Sequence, residues 1–273
     1  MLRQVKTLLT IAGSDPVGGA GIQADIRVGC SLGLHVVTAV TTLTAQNSKG
    51  IMDFYSDPDF LRLQLEAIRE DVVPDAVKIG LIGIPSNIKI ICRYLDSLPA
   101  SVPIVVDPIL YLSAASLSLL KIEFDSLELR KLYLSELFPR ASVLTPNLDE
   151  LKILTGIDSP NNLALKALNT EAMVVKGGHS KEDKIRDVLV TPGKVEMFTH
   201  ERINCHNTHG SGCVFSSFLA SYLGLGETLE KAFLKTCLTM EKIISKSCHY
   251  NLGNSTYGPL NINENYICHD DSI

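Results

Sequence analysis

The residues of this chain best suited to chemistry sit in a few short segments rich in glycine or charge. Thr208-His209-Gly210-Ser211-Gly212-Cys213 opens an apolar helical stretch. Its small residues leave backbone N–H groups free at the positive end of a helix, a cradle for a phosphoryl group or a developing anion. A cysteine in that first turn is expected to have a lowered pKa, with His209 placed to take or relay its proton. The plain alternative for Cys213 is a small buried thiol, the usual fate of a free cysteine. Zinc held by Cys205, His206, His209 and Cys213 is a rival, but no C-x-x-C pair is present and the Gly-Ser-Gly break suits anions better.

Five other segments carry usable groups. The glycines of Gly13-Ser14-Asp15-Pro16-Val17-Gly18-Gly19-Ala20-Gly21 allow backbone to approach a ligand closely, unless the turn merely needs glycine. The loop fits neither the dinucleotide nor the P-loop fingerprint. Glu150, in Asn147-Leu148-Asp149-Glu150, can hold a magnesium ion while a nucleotide supplies the remaining oxygens; ordinary helix-start chemistry is the alternative. Asp107, after Ile104-Val105-Val106, can help position that metal or simply cap a turn. Lys176 can neutralise charge between donor and acceptor phosphates, or snorkel at the surface. The planar amide of Gln46 suits paired hydrogen bonds to an aminopyrimidine, or caps a loop. Phosphoryl transfer to a small molecule uses all of these parts, mostly for positioning and charge neutralisation.

Each segment follows an expected strand. Apolar runs at Thr7–Ala12, His35–Leu43, Ala76–Ile79, Ile104–Val106, Ser142–Leu144 and Ala172–Val175 alternate with helical spacing. The helices fall at Gly21–Leu34, Pro58–Val72, Ser86–Leu95, Leu127–Leu137, Leu148–Leu154 and Asn162–Asn169. A hairpin of Ile185–Val190 and Val195–Thr199 turns at Thr191-Pro192-Gly193, and helices at Gly212–Leu223 and Leu229–Ser247 follow. This rhythm predicts an α/β fold, a mostly parallel sheet with helices on both faces, and ligands beyond the carboxyl ends of the strands. One domain over residues 1–273 is expected, with 251–273 a loosely packed tail.

Composition narrows the partners. The 273 residues carry a net charge of −5, only 6% aromatics and no Trp, which argues against a nucleic-acid surface. The longest apolar candidate, Val36–Ala45, is interrupted by four threonines and is too short to span a membrane. Arg3 and Lys6 before Thr7–Gly13 loosely imitate a secretory leader, but a buried first strand explains them better. Seven cysteines without framework spacing suggest reduced thiols and a cytoplasmic setting.

In their order, the segments resemble the hydroxymethylpyrimidine/phosphomethylpyrimidine kinases of thiamine biosynthesis (the ThiD family), a branch of the ribokinase-like superfamily. The match runs from Thr10-Ile11-Ala12-Gly13-Ser14-Asp15 and Gly18–Asp25 through Leu43–Asn47, Lys78-Ile79-Gly80, Val105–Pro108 and Thr145–Glu150. Val175–His179, Asn207–Cys213 and Gly258–Asn261 complete it. The resemblance implies a ribokinase-like fold and an ATP- and Mg²⁺-dependent kinase. Such a kinase phosphorylates 4-amino-5-hydroxymethyl-2-methylpyrimidine and then its monophosphate. It implies Gln46 as the pyrimidine-binding residue with Gly13, Ala20 and Asp25 nearby, and Cys213 as the base. It further implies Gly210, Ser211 and Gly212 as the anion hole, Asn147 at the nucleotide, Lys176 on the phosphates, Glu150 and Asp107 at the metal, and a homodimer. Three departures stand out: Ile109–Ser116 replaces a lysine-bearing segment, Leu81 replaces Met, and Val214 replaces Thr. A pyridoxine/pyridoxal kinase of the same lineage is the alternative, and a catalytically silent pyrimidine-binding protein the lesser one.

Overall fold

A computed structural model describes residues 5–47, 50–110, 127–179, 183–249, 252 and 258–262. Their strands are β1 (Thr7–Ser14), β2 (His35–Asn47), β3 (Gly50–Tyr55), β4 (Ala76–Ile79), β5 (Ile104–Val106), β6 (Val143–Leu144), β7 (Met173–Val175), β8 (Lys184–Thr191) and β9 (Lys194–Glu201). The helices are α1 (Gly21–Ser31), α2 (Pro58–Asp71), α3 (Pro85–Leu95), α4 (Leu127–Leu132), α5 (Leu148–Thr155), α6 (Asn162–Ala167), α7 (Ser211–Gly224) and α8 (Leu229–Ser247).

The strands form one nine-stranded sheet in the order β3-β2-β1-β4-β5-β6-β7-β8-β9. From β2 to β7 neighbours run parallel, while β3, β8 and β9 are added antiparallel. Leu8, Leu9, Ile11 and Ala12 of β1 are all fully buried, because helices cover both faces of the sheet. Leu9, Ile11, Val77 and Ile79 point into one apolar layer, shared with Leu61 and Leu65 of α2 and Ile88 and Ile91 of α3. Leu8, Ala76, Val105 and Val174 point into the other, against Val28 of α1, Phe215 and Phe218 of α7 and Phe233 of α8. Local chemistry fixes the helix ends: Asp57 caps α2 by accepting from Phe60 N–H, with Pro58 in the first turn.

Three expectations need correction. The predicted helix Leu127–Leu137 stops at Leu132 and passes into a π-helical turn, Tyr133–Leu137, and a short 3₁₀ turn that carries Pro139. The second strand extends to Asn47, because beyond Leu43 it leaves the β1 ladder and pairs with β3, a strand not foreseen from sequence. The tail is packed at residues 258–262: Leu260 is fully buried among α7 and α8 side chains, and the Gly258 carbonyl accepts from His209 N–H at 3.1 Å. Within the altered segment 109–116, residues 111–116 lie outside the described residues.

Candidate active site

The strand order reverses at β1, with β2 on one side and β4 on the other, and a crevice beyond the strand ends is expected there. A cavity of about 1010 Å³ opens at that place. Gly13, Asp15, Ala20, Gln46 and Leu81 line one end; Asp107, Asn147, Glu150, Lys176 and residues 208–213 line the middle; Ile185, His200, Ile203 and Ile244 line the other end.

Two glycine loops meet at the first end. Gly210, the N-cap of α7, has φ +78°, and a Cβ there would lie 1.9 Å from the Gly19 carbonyl oxygen. Only glycine permits both that backbone and that approach. Asp15 organises the junction. Its Oδ2 accepts from Gly19 and Ala20 N–H at 2.9 Å and faces His209 Nε2 at 3.2 Å, while Oδ1 accepts from Val17 N–H. The Gln46 side chain lies beside the same carboxylate and favours its charged form. Burial pushes the Asp15 pKa up, but the hydrogen bonds from His209, Gln46, Ala20 and Val17 outweigh it and hold the group at about 2. The imidazole expected to relay the Cys213 proton is therefore tied to Asp15 and clamps the two loops together. A β-bulge between Ala45 and Gln46 turns this end of β2 and sets the Gln46 amide.

Cys213 lies in the first turn of α7 and is 7% exposed. The lowered pKa expected from its position is corrected. Burial raises the thiol pKa, and Asp107 and Asp25 add to it, against the opposing pull of Lys78 and the Gly21 amide. Ser211 N–H is taken by the Thr208 carbonyl at 3.1 Å, which narrows the expected anion hole. A Cβ on Gly212 would stand 3.2 Å from Lys176 Nζ, so the bare glycine keeps the helix start open to the lysine.

Lys176 follows β7 and pairs with Asp107 Oδ1 at 2.6 Å. Burial alone would discharge this lysine, but Asp107 and Glu150 raise its pKa and keep it cationic. Asp107 also accepts from Thr145 and Ser216 hydroxyls. It is thus the anchor of the lysine. Glu150 Oε2 accepts from Asn147 N–H while Asn147 Oδ1 accepts from Glu150 N–H, both at 2.8 Å, a capping box that starts α5. Burial raises the Glu150 pKa to about 7, with Lys176 pulling down, Asp107 pushing up, and the Asn147 and Leu110 amides pulling down.

Asp25 does not reach the cavity. Its side chain is fully buried behind the site, bonded to Thr10, Ser217 and Lys78, so its expected contact with a ligand is corrected to a structural one. Among the described residues no group of three or more His, Cys, Asp or Glu could hold a metal, and Cys205, His206, His209 and Cys213 do not form one. Sequence reasoning missed Asp15, Lys78 and the Ile185, Ile203 and Ile244 wall. A charged residue inside the four-residue buried strand Ala76–Ile79 was the readable signal for Lys78.

A sequence profile of the family described as phosphomethylpyrimidine kinase matches residues 15–261. This chain belongs to that family. A hydroxymethylpyrimidine/phosphomethylpyrimidine kinase of Staphylococcus aureus is 33% identical over 258 residues, covering 90% of this chain and 88% of that relative. The crystal structure of a phosphomethylpyrimidine kinase from Clostridium difficile has a TM-score of 0.71 at 31% identity, covering 86% of this chain and 98% of that one. An ADP complex of Bacillus subtilis pyridoxal kinase has a TM-score of 0.80 at 28% identity, covering 95% and 98%. The fold is ribokinase-like and the chain is a kinase, a transferase of the thiamine-biosynthesis group.

Proposed function

We propose that this kinase uses ATP to phosphorylate the hydroxymethyl group of 4-amino-5-hydroxymethyl-2-methylpyrimidine and then the resulting monophosphate. The observation that carries this reading is one cavity that joins the Asp15–Gln46 pair, Cys213 at the start of α7, and Lys176 beside Gly212. Gln46 lies beside Asp15 on the cavity wall, and its amide offers a donor and an acceptor edge to an aminopyrimidine. Gly13 and Ala20 line the ring site, and the Gly13–Leu81 packing sets its depth. Cys213, as thiolate, takes the alcohol proton; Lys176 and the amides at the start of α7 receive the charge that moves with the phosphoryl group. A nucleotide suits the far end of the cavity, whose Ile185, Ile203 and Ile244 offer apolar surface to a base, with Asn147 beside its phosphates.

Magnesium fits the donor set. Glu150 is a buried carboxylate on the cavity wall next to the lysine that faces the phosphates, and it would hold the ion together with nucleotide oxygens. When bound, Mg²⁺ supplies charge neutralisation at the β- and γ-phosphates.

The alternative, pyridoxal phosphorylation, is favoured by the greater shape agreement with the pyridoxal kinase. Gln46 argues for the aminopyrimidine. The homodimer is supported by exposed Leu43, Met52 and Tyr55 on the β2–β3 edge and Phe60 and Leu63 on α2, and light scattering tests it. Free thiols at the six described cysteines support a cytoplasmic setting. Among the described residues no helix is long and apolar enough to cross a membrane. A substrate panel with Mg·ATP decides the reaction: ADP release with the pyrimidine alcohol and its monophosphate is expected. Turnover of pyridoxal alone overturns the assignment, and no turnover of any acceptor favours the silent binder.

A further inference from the structure

A second lysine–aspartate pair lies sealed under the site. The side chains of Lys78 and Asp25 are both 0% exposed, with Nζ 3.0 and 2.9 Å from the two carboxylate oxygens. Thr10 and Ser217 hydroxyls each donate to Asp25 at 2.5 Å. One carboxylate therefore joins β1, α1, β4 and α7, and Ser217 stands one helical turn after Cys213. Gly80 completes the seat, since a Cβ there would lie 2.8 Å from Lys78 Nζ. Apolar residues of similar volume fill such a place at least as stably as a buried ion pair, so stability does not explain the pair. Lys78 does not line the cavity, but through Asp25 and the Ser217 hydroxyl it is tied to the first turns of α7, where Cys213 sits.

We propose that Lys78 is a positioning residue for the first transfer, its ammonium held by Asp25 as the fixed positive charge beneath the start of α7 that carries Cys213. The inference rests on the reading of Cys213 as the base. In that step the thiolate sulfur gains the alcohol proton, the alcohol oxygen bonds to the γ-phosphorus, and the bond from that phosphorus to ADP breaks. In the second transfer the acceptor is a phosphate already ionised near neutral pH, and no proton needs to leave it. A charge that serves the sulfur therefore matters for the alcohol and not for the monophosphate.

The test compares both acceptors in one preparation of the paired variant Lys78→Met/Asp25→Asn, which leaves no buried charge unpaired. The kcat for the alcohol is expected to fall about tenfold or more, with KM for the alcohol and kcat for the monophosphate within about threefold of wild type. Equal losses for both acceptors, or no loss for either, overturn the proposal. Should the pair variant fail to fold, Gly80→Ala displaces the ammonium without removing it. A loss of about threefold confined to the alcohol supports the proposal, and an equal or absent effect on the two acceptors overturns it. Wild-type protein run alongside separates the two ideas: if it leaves the alcohol untouched, the reading of the site fails first and takes the Lys78 role with it.

Discussion

Lys176–Asp107 and Lys78–Asp25 are the same chemical pair in two settings. Their closest distances are similar, 2.6 and 2.9 Å, yet the Lys176 side chain keeps 13% exposure and the Lys78 side chain none. The ammonium of Lys176 follows the end of β7 and shares the cavity with Gly212, where one side remains for a second anion. The ammonium of Lys78, on β4, is fully buried, bonded to Asp25 and seated against Gly80. Solvent access, not the identity of the partners, divides their work. In the proposed reaction the open pair meets the phosphoryl group, whereas the closed pair acts only through position and field.

Four measurements break or sharpen that contrast. Replacing Lys78 alone with Met strands Asp25 in the core, and chemical denaturation should register a loss of about 3–5 kcal/mol. Lys176→Met should cost distinctly less stability, since Asp107 lines the cavity and removal of the partly exposed lysine opens it to water. Steady-state assays of Lys176→Met should instead show kcat down by about 10²–10³ for both acceptors. If the two variants behave alike in both assays, the contrast is void.

Asp15→Asn should lower stability by about 2 kcal/mol, the worth of moving a carboxyl from 3.8 to about 2. Because the folded pKa is depressed, this stabilisation is complete above about pH 5 and drains as pH falls toward about 2. The acid side of a pH–stability curve should therefore flatten in the variant. The smallest effect belongs to Gln46→Ala, for which KM for the pyrimidine should rise about tenfold, the loss of roughly one hydrogen bond, while KM for ATP stays near wild type. A change in the ATP constant instead would move Gln46 away from the acceptor end.

Much of this arrangement was readable in the residues. The short runs at Ala76–Ile79, apolar but for Lys78, and at Ile104–Val106 read as buried strands, and both appear with the predicted bounds. Small residues at 210–212 and 13–21 announced close backbone approach, and the two loops do meet, at Gly210 and Gly19. What stayed hidden depends on contacts between distant parts of the chain. The Cys213 pKa is set by burial under Gly21 and by charges from β4, the end of β5 and α1, which no helix-start rule contains. That Asp107 pairs with Lys176 at 2.6 Å, across 69 residues of sequence, was not readable from either segment. Edge strand β3 was missed because its exposed face carries Met52, Asp53 and Tyr55, and its partner is the overhanging end of β2.

The central claim, that sulfur at residue 213 removes the proton of the acceptor alcohol, is tested most directly by rapid-quench measurement of a single turnover with Cys213→Ala. Phosphorylation of the pyrimidine alcohol should slow by about 10² or more, with the variant still folded and still binding ATP. An unchanged rate would contradict the claim and return Cys213 to a packing role.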